Sequence, residues 1–165
     1  MSPLIVGDPV IDDQHPVEIL VVDPSGGADL VTGATKPVGE YFQIRACNSL
    51  AQASDHLRIQ PYDAIVLEPN LPDCWPADSY RRLSGEAEGT PVLIFTDVQD
   101  LGFLAQASPP PFAVLAKGKA GAVAIRRLLI SAALRKRALT PLGEPTARKL
   151  DEIAENQRKS SSDFT

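Results

Sequence analysis

Short, almost purely apolar runs recur along the chain, separated by longer stretches of mixed character. Four of them, 18–22, 64–67, 92–95 and 112–116, are too short for helices and are bounded by Pro, Asp or Gly. Continuous rather than alternating hydrophobicity predicts strands that are buried on both faces of a sheet. A fifth run, 41–47, alternates between apolar and polar residues, which favours a strand at the sheet edge.

Helical spacing of apolar residues occupies the stretches between these runs. The stretch 49–59 begins with Ser49, a good N-cap, and carries its apolar residues on one stripe. Four glycines and Pro37 predict only a short or broken helix between the first two strands. Strand and helix alternate throughout, which is typical of an open, doubly wound α/β sheet with helices on both faces. Further helices are expected over 76–83, 97–107 and 120–139.

Composition and charge exclude several classes of protein. The 165 residues are 44% hydrophobic and 22% charged, as expected for a globular chain, and their net charge of -5 disfavours binding to nucleic acid or an anionic membrane. No apolar run approaches the roughly 20 residues of a transmembrane helix. The acidic N-terminus lacks the basic region of a signal peptide, so we expect a cytoplasmic protein. Cys47 and Cys74 have no zinc-ligand spacing and are expected to be free thiols.

Polar side chains directly follow the four buried runs. Asp23 follows the first, Glu68 the second, Thr96 the third and Lys117 the fourth. Because parallel strands end at the same edge of a sheet, these residues should converge at one rim, where such folds place their sites. One of the two acids should pair with the amine, since an unpaired charge at a partly buried rim is costly.

The motifs around these residues resemble those of one known family. They are "ILVVD" (19–23), "YDAIVLEPNLPD" (62–73), "PVLIFTD" (91–97), "AVLAKG" (113–118) and "ALRKR" (133–137). Together they resemble the receiver domain of bacterial two-component response regulators, with the CheY-like (flavodoxin-like) fold. The resemblance implies five parallel strands in the order 2-1-3-4-5. It also implies magnesium at an acidic pair after the first strand, phosphorylation of an aspartate after the third, and a Thr and a Lys that sense the phosphorylated state.

The departures from that family predict a degenerate pocket. Glu68 stands at the phosphoacceptor position, Pro24 replaces the second acid of the pair, and Val114 replaces the usual aromatic switch residue. Magnesium prefers near-octahedral oxygen ligands, so Asp23 and Glu68 offer at most a weak site, and we expect no cofactor and no catalytic residue. Two interpretations remain open: Glu68 partly mimics a phosphorylated aspartate, or it merely neutralises Lys117.

The expected function is therefore signalling by protein contact as an atypical, non-enzymatic response regulator. The expected partner is a sensor kinase, another regulator or a second copy bound through the last helix. Ile130 and Leu134 give that helix more apolar surface than one buried face needs. Trp75 is either an interface anchor or, as slightly favoured, a lid folded over the rim. The basic residues of the last helix are expected to be solvated rather than to bind nucleic acid.

The domain boundaries follow from the same patterns. We expect an N-terminal extension over 1–16, a receiver-like domain over 17–139 and a tail over 140–165 that includes one short helix. The 26 residues after Leu139 are too few for a helix-turn-helix domain, which favours a stand-alone regulator.

Two alternative functions stay open. One is a phosphorelay receiver that is phosphorylated on Glu68 or on a nearby aspartate such as Asp73. The other is a small flavodoxin-like enzyme or nucleotide-binding protein, although the sequence contains neither GxGxxG nor a Walker loop.

Overall fold

A five-stranded parallel sheet forms the centre of the molecule in the computed structural model, which describes residues 4–5, 10–97 and 101–139. The strands of this sheet are β1 Val17–Val22, β2 Phe42–Cys47, β3 Ala64–Leu67, β4 Val92–Phe95 and β5 Ala113–Leu115. Their order is β2-β1-β3-β4-β5, so the predicted 2-1-3-4-5 topology is confirmed and β2 lies at an edge. The α-helices of the described residues are α1 Gly27–Thr35, α2 Leu50–Ile59, α3 Pro76–Glu86 and α4 Ala122–Ala138.

Two apolar layers cover the two faces of the sheet. Alternate residues of the central strands point to opposite faces, so Ile19 and Val21 join α1 and α4 while Leu20 and Val22 join α2 and α3. Every residue of β3 and β4 is buried, which explains why the sequence shows continuous apolar runs there.

The sequence predicts a helix over 97–107, and this prediction is wrong for the described part of that stretch. Only a short 3-10 helix, Gly102–Leu104, forms there. None of residues 101–107 is fully buried, so an α-helix would gain little from packing. The proline run 109–111 also fixes an extended backbone directly before β5.

The first crossover is broken, as the sequence predicts. Helix α1 ends at Thr35 and a 3-10 helix, Lys36–Tyr41, follows with non-helical backbone angles at Val38. Pro37 removes one backbone donor, which accounts for the loss of the regular helical ladder.

The described residues before β1 contribute to the folded structure. The two-residue strands Leu4–Ile5 and Val10–Ile11 pair antiparallel, and Ile11 is fully buried in the core beside α1 and α4. At the end of α4, the guanidinium of Arg137 donates two hydrogen bonds to Asp63, both at 3.0 Å, and others to the carbonyls of His15 and Pro16. The expectation that the basic residues of this helix are solvated is therefore wrong for Arg137. The predicted tail over 140–165, with its short helix, lies outside the described residues.

Candidate functional site

The four residues predicted at the rim converge at the carboxyl edge of the sheet. Each of them extends the backbone ladder by one hydrogen bond beyond its strand. The Asp23 amide donates to Cys47 at 2.9 Å, and the Glu68 amide donates to Val22 at 2.9 Å. The Thr96 amide likewise donates to Leu115 at 3.0 Å, so the sheet itself fixes where these side chains start.

The ammonium of Lys117 lies between the two acids. Its Nζ is 2.6 Å from Oδ2 of Asp23 and 3.7 Å from Oε1 of Glu68. The Asp23 side chain has no exposed surface and that of Lys117 is only 8% exposed, so the closer contact is a buried ion pair. The Asp23 contact lacks the alignment of a hydrogen bond, and charge attraction therefore dominates it.

The loop after β1 occupies the other oxygen of Asp23. Oδ1 accepts hydrogen bonds from the amide of Ser25 at 2.6 Å and from its hydroxyl at 2.9 Å. Lys117 Nζ donates in turn to the Ser25 hydroxyl at 2.8 Å. Asp23, Ser25 and Lys117 thus form a closed network of polar contacts.

Glycines let this loop approach the carboxylate. A Cβ added to Gly27 would lie 2.1 Å from Oδ2 of Asp23, closer than any real contact. The preceding Gly26 has a φ of 91°, in the left-handed region that favours glycine. These two residues turn the chain into α1 directly against the buried acid.

Glu68 occupies a tight and partly unsatisfied position. Burial raises the pKa of its carboxyl above the ordinary value, while a hydrogen bond from Thr96 and the charge of Lys117 act in the opposite direction. Its Oε2 atom is buried and has no hydrogen-bond partner among the described residues. One carboxylate oxygen of Glu68 therefore accepts a hydrogen bond from Thr96, while the other is buried and unpaired among the described residues.

Magnesium, which the resemblance would imply, does not fit the residues at this rim. The ammonium of Lys117 contacts Asp23 where a cation would bind, and the remaining oxygen of that acid accepts two hydrogen bonds from Ser25. Pro24 offers no side-chain ligand in place of the second acid. An octahedral ion would have to displace a resident ammonium and rely on Glu68 alone.

Asp73, the alternative phosphoacceptor, has a structural role. Its carboxylate accepts hydrogen bonds from the amides of Leu50 and Ala51, both at 3.0 Å, and so caps α2. These backbone bonds lower the pKa of Asp73 despite an opposing effect of burial. Asp97 accepts a 2.8 Å hydrogen bond from the amide of Gly118 and ties the loops after β4 and β5 together.

The four candidate interface residues differ in exposure. Val114 is 45% exposed and Trp75 is 79% exposed, so the favoured interpretation of Trp75 as a folded lid is wrong. Ile130 and Leu134 are half-buried and pack against the core cluster that contains Ile11.

Sequence reasoning missed three contributors to this architecture, namely Ser25, Gly27 and Arg137. A serine two residues after an aspartate favours a local side-chain turn, and this signal could have identified Ser25. No local pattern distinguishes Gly27 from the other glycines or Arg137 from the other basic residues of α4.

Comparison with known proteins supports the fold alone. No protein-family model matches the sequence, and no curated protein is similar to it. The signal receiver domain of an HD domain-containing protein from Pseudomonas fluorescens Pf-5 is 18% identical, with a TM-score of 0.66 over 75% of this chain and 91% of that one. The receiver domain of the sensor histidine kinase PA1611 from Pseudomonas aeruginosa, solved with magnesium in its active-site cleft, is 20% identical, with a TM-score of 0.58 over 72% and 98%.

A third structure has a different description. It is called adenylate cyclase, from Rhodopirellula baltica, and is 18% identical with a TM-score of 0.65 over 78% of this chain and 96% of that one. The likeness to the two receiver domains shows that this chain has the CheY-like receiver fold.

Within the described residues, no helix is both long and apolar enough to cross a bilayer.

Proposed function

We propose that this protein is a pseudo-receiver, a receiver-like signalling module that acts through protein contacts and is not regulated by conventional aspartyl phosphorylation. The observation that carries the proposal is the position of the Lys117 ammonium, 2.6 Å from Asp23 and 3.7 Å from Glu68. The partner in this proposal is a sensor kinase or another regulator.

Phosphoryl transfer depends on positioning and on neutralisation of the developing charge. At this rim the neutralising cation is a covalently attached ammonium, which cannot bridge to a phosphodonor as a metal ion does. The nucleophile would be Glu68, whose carboxylate is one methylene longer than aspartate and is hydrogen-bonded to Thr96. Both features make phosphorylation very slow and leave the pocket in one charge state.

Glu68 is, in this proposal, a partial and permanent substitute for a phosphorylated aspartate. It contacts the two residue types, Thr96 and Lys117, that the receiver family uses to sense the phosphoryl group. A carboxylate supplies one negative charge where a phosphoryl group supplies nearly two, so the mimicry is incomplete.

An amide NMR titration tests the absence of a working phosphorylation site. The protein is titrated with magnesium and then with beryllofluoride, a phosphoryl mimic, and we expect no saturable shifts at Asp23, Glu68, Thr96 or Lys117. The double variant Pro24→Asp, Glu68→Asp is the positive control, because it restores the missing acid and the shorter nucleophile. Saturable shifts in the unaltered protein would refute the proposal.

A second comparison tests the mimicry separately. We expect Glu68→Gln to keep the hydrogen bond to Thr96 but lose the charge, whereas Glu68→Ala loses both. If the charge sets the state of the pocket, both variants shift the amide resonances of Thr96 and Val114, and by similar amounts. Unchanged resonances in both variants would leave Glu68 as a mere counter-charge for Lys117.

A further inference from the structure

Trp75 presents the largest exposed aromatic surface of the described residues. It is the single tryptophan of the sequence and is 79% exposed, at the residue that precedes α3. Tryptophan is the residue type most often found at the energetic centre of protein interfaces. An indole left in water at this position is therefore a candidate anchor for an association.

Backbone and side-chain hydrogen bonds hold the loop that carries Trp75. Leu71 is buried and pairs with Cys74, while Asp73 accepts two amide hydrogen bonds from the start of α2. Behind the loop, the buried hydroxyl of Ser79 donates to the carbonyl of Pro69 at 2.8 Å. A preformed loop loses little conformational entropy on binding, which favours association.

The charges beside Trp75 are balanced, although the whole chain has a net charge of -5. Asp78 and Arg81 form an ion pair at 2.8 Å on the first turns of α3. Asp73 lies close enough to Arg82 for that charge to lower its pKa, after the larger effect of its backbone hydrogen bonds. Two copies of this acidic chain therefore repel each other less at this patch than over their average surface.

We propose that two copies of this chain, related by a twofold axis, associate through the Trp75 patch. This patch consists of Trp75 and the solvent-accessible residues that flank it in the chain, Pro72, Ala77, Asp78 and Arg81. An isologous contact requires a self-complementary surface, and a neutral patch with an aromatic centre satisfies that requirement. The last helix is less suited to this contact than the sequence suggests, because Ile130 and Leu134 already pack against the core.

The size of the patch sets the strength of the association. The exposed part of one indole amounts to about 200 Å², against about 800 Å² per partner in a standard stable interface. The dimer is therefore weak and reversible, and it forms as the protein concentration rises from micromolar to millimolar.

The single tryptophan makes the test specific to this site. Sedimentation velocity and tryptophan emission are recorded on the full chain over the same concentration range. We expect the mass to double while the emission maximum moves to shorter wavelength, because each indole leaves water. Higher salt strengthens the dimer by screening the net negative charges of the two copies.

Two variants complete the design. Trp75→Ala weakens the dimer by at least about tenfold, as expected for an anchor residue. Ile59→Ala is the matched control, since Ile59 is also 79% exposed but ends α2, away from the patch, and it leaves the dimer unchanged. The proposal is overturned if the protein stays monomeric at millimolar concentration. It is also overturned if a dimer forms without a shift in tryptophan emission, or if the dimer persists in Trp75→Ala. These outcomes do not depend on whether the rim can be phosphorylated.

Discussion

Replacing Lys117 with methionine removes the cation of the rim while it keeps a side chain of similar length. The variant leaves the Asp23 carboxylate, which has no exposed surface, without its ion-pair partner at 2.6 Å. Glu68 loses its cation at 3.7 Å in the same step. We expect this single change to reveal how strongly the fold depends on the resident ammonium.

The magnitude follows from the burial of the pair. Removing one partner of a buried ion pair costs about 3–5 kcal/mol. Asp23 keeps two hydrogen bonds from Ser25, so we expect the lower end, about 3 kcal/mol in the free energy of unfolding at neutral pH. For a domain of this size, such a loss lowers Tm by about 6–12 °C. Urea unfolding and calorimetry measure both quantities, with the exposed Lys119→Met as the control.

The stability lost in Lys117→Met should also depend on pH, because Glu68 titrates differently in the folded and unfolded protein. Burial raises the pKa of Glu68 in the folded protein, so its contribution to stability is present below the unfolded pKa and is lost as pH rises through the folded pKa. Without Lys117 the folded-state pKa of Glu68 rises further, so the variant loses more stability at neutral pH than the unaltered protein does. The difference in the free energy of unfolding between the two proteins therefore narrows as the solution is acidified. A difference in the free energy of unfolding that stays constant with pH, or one below about 1 kcal/mol, would refute the role of Lys117 as the cation that neutralises the rim.

Two further predictions concern the packing around the rim and the opposite end of the sheet. Gly27→Ala should cost about 1–3 kcal/mol in urea unfolding, because its Cβ would lie 2.1 Å from an oxygen of Asp23, whereas Gly33→Ala meets nothing within 4 Å and should not destabilise α1. Arg137→Ala should cost about 2–3 kcal/mol, because it strips Asp63 of two charge-assisted hydrogen bonds, and a loss smaller than about 1 kcal/mol would contradict this role.

Much of the fold was predictable because its signals are local. The runs at 64–67 and 92–95 coincide with β3 and β4, since a strand buried on both faces must be apolar throughout. Ser49 marks the start of α2 and accepts a hydrogen bond from the amide of Gln52, as an N-cap does. The helix predicted over 97–107 does not form in residues 101–107, because the apolar spacing suits a helix while none of these residues is fully buried.

The sequence by itself determined which residues share the rim. In a parallel sheet the residue after each strand lies at one edge, so Asp23, Glu68, Thr96 and Lys117 had to meet once the strands were assigned. The resemblance to receiver domains added the expectation of a weak magnesium site, since Pro24 has no carboxylate and Glu68 is longer than aspartate.

Only the tertiary structure decided how these charges pair. Whether Lys117 contacts Asp23 or Glu68 more closely depends on rotamers and on the turn at Ser25, which no local pattern encodes. The contact of Arg137 with Asp63 joins residues 74 positions apart, so it exists only after α4 packs beside the sheet. Local propensity and periodicity specify the elements, whereas long-range contacts, with burial and charge, select among the pairings that those elements allow.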